Sequence, residues 1–143
     1  MEDAVRELFD QYERAFERAL RGDADMDQVA ALYAAAFIGA SPAGVMTGAN
    51  DDQFRQVMAQ GYARYRAIGT KSMRLRALRI LPMDAHHCVA RVAWASVYAR
   101  QGRSDVEIDF TVHYLVQTLD GEAKVFGWIT GDEQAVLKAH GIA

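Results

Sequence analysis

The sequence predicts an α+β fold in which N-terminal helices cover one face of an antiparallel sheet. Three observations predict it. Residues 3–68 carry apolar side chains mostly at helical spacing, residues 72–130 carry them at alternate positions in four runs, and the connections between those runs are short. Parallel strands would need a crossover of about a dozen residues at each step, so the four runs form an antiparallel meander. Segregation of helices from strands is what distinguishes this class from a doubly wound fold.

The first helix is expected over 3–20, where Val5, Leu8, Phe9, Tyr12, Phe16, Ala19 and Leu20 make one apolar stripe and Gly22 stops it. A second is expected from Asp25 to about Phe37 through Val29, Leu32, Tyr33, Ala36 and Phe37, with Asp25 or Asp27 as cap. Three glycines and Pro42 in 38–48 predict an extended, hairpin-like crossing. The third helix starts with Asn50 as N-cap, Asp51 and Asp52 at the positive end of its dipole, and a stripe of Phe54, Val57, Met58, Gly61, Tyr62, Tyr65 and Ile68. The meander follows as 72–81, 88–100, 106–118 and 124–130, with Asp120-Gly121 as the strongest turn signal. Asp132 caps a short last helix that Gly141 closes.

Parity assigns the faces. Trp94, Tyr98, Phe110, Tyr114, Phe126 and Trp128 fall on one face in simple register, while Asp109 and His113 fall on the other. The first run mixes Arg74, Arg76 and Arg79 among its apolar residues, as suits a sheet edge.

Composition bounds the function. One domain, 1–143, is expected at this length, with 51% hydrophobic and 24% charged residues. No run approaches the ~18 uninterrupted apolar residues of a membrane span, and from the acidic Met1-Glu2-Asp3 start no secretory signal is expected. Cys88, the only cysteine, is expected to be a buried inert thiol, and a cytoplasmic location is the expectation. The net charge of −3 hides an asymmetry: 11 of the 19 acids lie in the first 52 residues, while 53–83 holds no acid and seven cations from Arg55 to Arg79. That stretch reads as a solvated, ion-paired face, with a patch for an anionic ligand as the other reading. No aromatic interleaving accompanies it, so nucleic acid is not an expected partner.

The whole chain resembles the nuclear transport factor 2-like superfamily, the cone fold of ketosteroid isomerase and polyketide-cyclase-like proteins. The resemblance rests on Gly22-Asp23 ending helix one, Leu32-Tyr33-Ala34, Ser41-Pro42 followed by Gly48, Phe54 opening helix three, and a meander closing on Asp120-Gly121. It implies a strongly curved (cystatin-like) sheet wrapped around the helices, a cavity inside the cone, and a homodimer through the convex sheet face. The cavity residues it implies, together with the parity, are Tyr12, Phe16, Tyr33, Met58, Tyr62, Trp94, Tyr98, Phe110, Tyr114 and Trp128. These either fill a core or line a site for a small apolar or aromatic ligand.

The isomerase chemistry does not carry over by position. A carboxylate base is required where this chain has Ser41, a tyrosine where it has Ala15 and Phe16, and a carboxylic acid near Tyr114. No catalytic residue can be named; Tyr33, Tyr62 and Tyr114, with Ser41 or Ser96, are the candidates for polarising a carbonyl. His86 and His87 point to opposite faces beside Asp84, which is poor metal geometry. Residues 39–44 lack the Gly-Lys-Ser/Thr ending of a phosphate loop, so neither metal nor cofactor is expected. Three function classes stand: a small-molecule-binding domain, an isomerase, dehydratase or cyclase, and a docking module with a filled cone.

Overall fold

The computed structural model describes residues 1–142. Helix α1 (Glu2–Leu20) buries Val5, Leu8, Phe9, Phe16 and Ala19, the stripe its spacing predicts. Helix α3 (Asp52–Ala67) buries Phe54 and Tyr62. Both lie in the concavity of a six-stranded sheet, and α4 (Glu133–Ala139) closes the chain.

The second helix is much shorter than its periodicity suggests. Helix α2 spans only Met26–Ala30, and strand β1 (Tyr33–Ser41) takes the residues that extend the pattern. Tyr33, Ala36 and Phe37 therefore sit on a strand. Asn50 explains the stop: its side-chain amide donates to the carbonyls of Ala30 (2.8 Å) and Tyr33 (3.2 Å), and the Lys124 ammonium takes that of Ala31. Asn50 is thus not the cap of α3. Asp51 is, its carboxylate accepting from Phe54 N at 2.9 Å.

Strands β1 and β2 (Gly44–Ala49) form the expected extended crossing as a hairpin. The meander follows as β3 (Thr70–Pro82), β4 (His87–Arg100), β5 (Arg103–Leu119) and β6 (Glu122–Ile129), in sheet order β2-β1-β6-β5-β4-β3. All neighbours are antiparallel except β1 and β6, which run parallel, so the sheet is mixed. Asp120 and Gly121 both have positive φ (53° and 76°), the tight turn their dipeptide predicts.

Bulges give the sheet its curvature, because each extra residue bends its strand and increases local twist. One lies in β3 between Leu75 and Ala77, where the Leu75 N–H donates to the Glu13 carboxylate of α1 at 2.5 Å. Another decides a face. Tyr114 pairs with Trp128 and Leu115 with Gly127, but Val116 pairs with Val125, leaving Phe126 as the extra residue. Simple parity placed Phe126 beside Trp128; the bulge instead turns Val125 and Trp128 inward together, and Phe126 packs outside against His87 (ring centroids 6.1 Å).

Cys88 is buried in β4, and burial pushes its thiol pKa up, as an inert core thiol requires. Three of the seven cations of the basic stretch are ion-paired among the described residues. Arg55 meets Asp27 and Asp52, Lys71 meets Asp105, and Arg76 spans Glu107 and Asp109, all at the surface. Arg66 instead donates to the Ala19 carbonyl at 2.7 Å, at the end of α1. The acidic partners of Lys71 and Arg76 come from β5, not from the N-terminal helices. No helix of the described residues is long and apolar enough to cross a membrane.

Candidate functional site

The concave face and the helices enclose a pocket of about 310 Å³. Helical spacing places Tyr12 and Phe16 of α1, one turn apart, on the same side. Helix α3 adds Val57, Met58, Gly61, Tyr62 and Tyr65 by the same rule. The sheet supplies the floor through inward positions: Tyr33 on β1, Trp128 on β6, Phe110, Val112 and Tyr114 alternating along β5, Trp94 on β4 and Met73 on β3. Thr130, just after β6, and Glu133, the first residue of α4, complete the wall. Gly39 lets the Trp128 indole lie flat on β1, because a methyl there would come within 2.8 Å of Nε1.

The polar tips meet at the base. The hydroxyls of Tyr12 and Tyr33 are 2.8 Å apart, and the Trp94 indole N–H donates to the Tyr114 hydroxyl at 3.0 Å. Ring centroids of Tyr12 stand 5.6 Å from both Trp94 and Tyr114 and 6.1 Å from Tyr33, so one tyrosine packs against these three rings. Burial raises the pKa of Tyr12, and raises Tyr33 and Tyr114 well above the ordinary 10.0. Tyr62 and Tyr65 are raised for the same reason. At neutral pH these are hydroxyl groups, able to donate to or accept from an enclosed polar atom.

Glu133 is the only formally charged side chain among the lining residues. Loss of water alone raises its pKa, and no cation pairs with it among the described residues. Its sequence signal points elsewhere: as the first residue of α4, after the Asp132 cap (Oδ1 accepting from Ala135 N, 2.9 Å), it reads as dipole complement. Tyr65 was legible in the α3 stripe as apolar face, and Thr130 shares the parity of Trp128 at the end of the 124–130 run.

Of the sequence-derived cavity residues, Tyr12, Phe16, Tyr33, Met58, Tyr62, Trp94, Phe110, Tyr114 and Trp128 surround this pocket. Tyr98 does not. It is wholly buried further along β4 with Ile108, Leu137 and Ile142, because α4 and the residues after it cover that end of the sheet. Ser96 is likewise occupied, its hydroxyl donating to the Ile108 carbonyl at 2.7 Å. Ser41 lies exposed on the β1–β2 turn, capping Ala43 N at 3.1 Å. Asp109 and His113 sit on the outer face, where Asp109 pairs with Arg76. Asp84 receives the backbone N–H groups of His86 and His87 and approaches His87 Nδ1, each at 2.8 Å, an exposed turn lock. Among the described residues no group of His, Cys, Asp and Glu could hold a metal ion.

Comparison with known proteins agrees with the architecture. The family model described as NTF2-like protein (DUF6841) matches residues 2–133. No curated protein matches the chain significantly. An NTF2-like protein with a cystatin-like fold from Novosphingobium aromaticivorans superposes with a TM-score of 0.66 at 15% identity, covering 96% of this chain and 86% of its own. An NTF2-like protein of unknown function from Shewanella oneidensis gives 0.64 at 15% identity, covering 91% and 98%. A ketosteroid isomerase-like protein from Erwinia carotovora atroseptica gives 0.62 at 15%, covering 90% and 93%. At such identities the likeness is one of fold.

Proposed function

We propose, for a chain that belongs to the NTF2-like family DUF6841, that the concave pocket binds a small apolar or aromatic molecule. The observation that carries this reading is the pocket itself. At about 310 Å³ it lies near the lower end of the range for small-molecule sites, and its wall is aromatic rings carrying a few hydroxyl and indole tips. The docking-module reading instead predicts close packing of side chains in that space.

The test is thermal unfolding against a panel of small aromatic and alicyclic compounds. A ligand at about 100 times its Kd stabilises the fold by roughly 2.7 kcal/mol, a rise of several degrees in Tm. Trp128→Ala, at a partly buried wall position, should abolish the shift while the variant stays folded. A shift that survives this change would place the binding elsewhere.

One observation favours a second reading, an isomerase, dehydratase or cyclase. Glu133 is an ionisable group with a raised pKa in the same space as hydroxyls that could polarise a carbonyl. Such an enzyme would exchange the α-protons of a bound ketone with solvent deuterium, and Glu133→Gln should slow that exchange at least ~100-fold. Equal exchange in both proteins would remove Glu133 from the chemistry.

The assembly that fits this reading is a homodimer through the convex face, in a reducing cytoplasm suited to the lone Cys88. Neither membrane nor nucleic acid is part of it. Ile38 and Ile129 are 39% and 50% exposed on neighbouring strands, and His113 pairs with Ile129 beside outward-facing Leu115. His113→Glu combined with Leu115→Asp should yield monomers in sedimentation. An unchanged dimer would refute that face.

A further inference from the structure

We propose that the ligand of this pocket is an organic cation: an aromatic or alicyclic body carrying an ammonium group that seats against Glu133. The inference rests on the small-molecule reading above and names its ligand class. The wall contains no Lys, Arg or His, so nothing there compensates an anion. It contains one carboxylate, partly buried in the wall and without a cationic partner among the described residues.

An uncompensated carboxylate is costly in a low-dielectric space, and a bound ammonium would remove that cost by pairing with it. The surrounding rings act in the same direction. The faces of Trp, Tyr and Phe carry negative electrostatic potential, and aromatic cages closed by a carboxylate suit ammonium groups better than neutral or anionic ones. Glu133 lines the same pocket as Tyr12 of α1, Tyr65 of α3 and Tyr114 of β5, so its charge faces the elements that build the wall. On the same lining, the hydroxyls of Tyr12, Tyr33 and Tyr114 can take one hydrogen-bonding atom of the ligand body.

The protein carries its own reporter. Its two tryptophans, Trp94 and Trp128, both line this pocket, so intrinsic fluorescence reads occupancy directly. The experiment titrates three probes with one skeleton, phenylbutylammonium, phenylbutanol and phenylbutyrate, into wild type and Glu133→Gln. The expected order is ammonium tightest, then alcohol, then carboxylate. Glu133→Gln should weaken the ammonium about 10- to 100-fold, the cost of a charge-assisted contact, and leave the alcohol unchanged. If the alcohol binds as tightly as the ammonium, or if Glu133→Gln leaves the preference intact, the cation assignment is overturned while binding in the pocket stands. If none of the three changes the tryptophan emission or the Tm, the small-molecule reading fails and takes this proposal with it.

Discussion

Alkaline pH is expected to unfold this protein cooperatively within about one pH unit above 10, with all its tyrosines ionising in the same step. Every one of the six tyrosines has a raised pKa, and burial is the largest cause in each. The sign follows from linkage. A tyrosine held protonated in the fold ionises freely in the unfolded chain, so its stabilising contribution is complete below the ordinary pKa and is lost as pH rises through the folded one. Each such group withdraws about 1.4 kcal/mol per pH unit above 10. Six of them withdraw much of the roughly 5–15 kcal/mol that holds a domain together. Tyrosinate absorbance and near-ultraviolet circular dichroism followed against pH should change together at one midpoint. Tyrosinate appearing gradually near pH 10 in a chain that keeps its tertiary signal would show that the aromatic cluster is hydrated.

The second large effect belongs to Phe9. It is 0% exposed, and its ring centroid lies 5.0 Å from Tyr114 and 5.9 Å from Tyr12. It therefore supports from behind the tyrosines whose hydroxyls face the pocket. Phe9→Ala should cost about 3–5 kcal/mol, the sum of lost transfer energy and an unfilled cavity. Tyr12→Phe keeps the ring and removes one hydroxyl, and about 1 kcal/mol is the scale expected for its hydrogen bond to Tyr33. Urea unfolding of the two variants separates packing from polar pairing. A Phe9→Ala loss no larger than that of Tyr12→Phe would mean the helix can collapse onto the sheet without this residue.

Much of the architecture is legible in the sequence. The helical stripe of 3–20, the alternation in 88–100 and 106–118, and the Asp120-Gly121 turn are local signals, written in periods of 3.6 and 2 and in one dipeptide. Local signals also brought together most of the aromatic wall, since a residue's face follows from its parity once the sheet register is simple. They misread 31–37, where a helical stripe and a strand share the same apolar residues. There the outcome rested on pairing with β6 and on the Asn50 side chain closing the end of α2.

Other decisions belonged to the tertiary structure alone. Phe126 and Val125 exchanged faces because a bulge in β6 adds one residue, and parity counting cannot see an insertion that the partner strand does not share. Tyr98 left the pocket because α4 and its following residues cover that end of β4, a long-range packing choice. Glu133 entered it for the same reason: in the chain it is the first residue of a capped helix, indistinguishable from any dipole-complementing acid. By itself the sequence determined the first and third helices, the four-stranded meander and the aromatic character of the concave face, because these are periodic and local. Where the one uncompensated charge of the pocket sits was decided by how the last helix docks, because burial depends on residues distant in the chain.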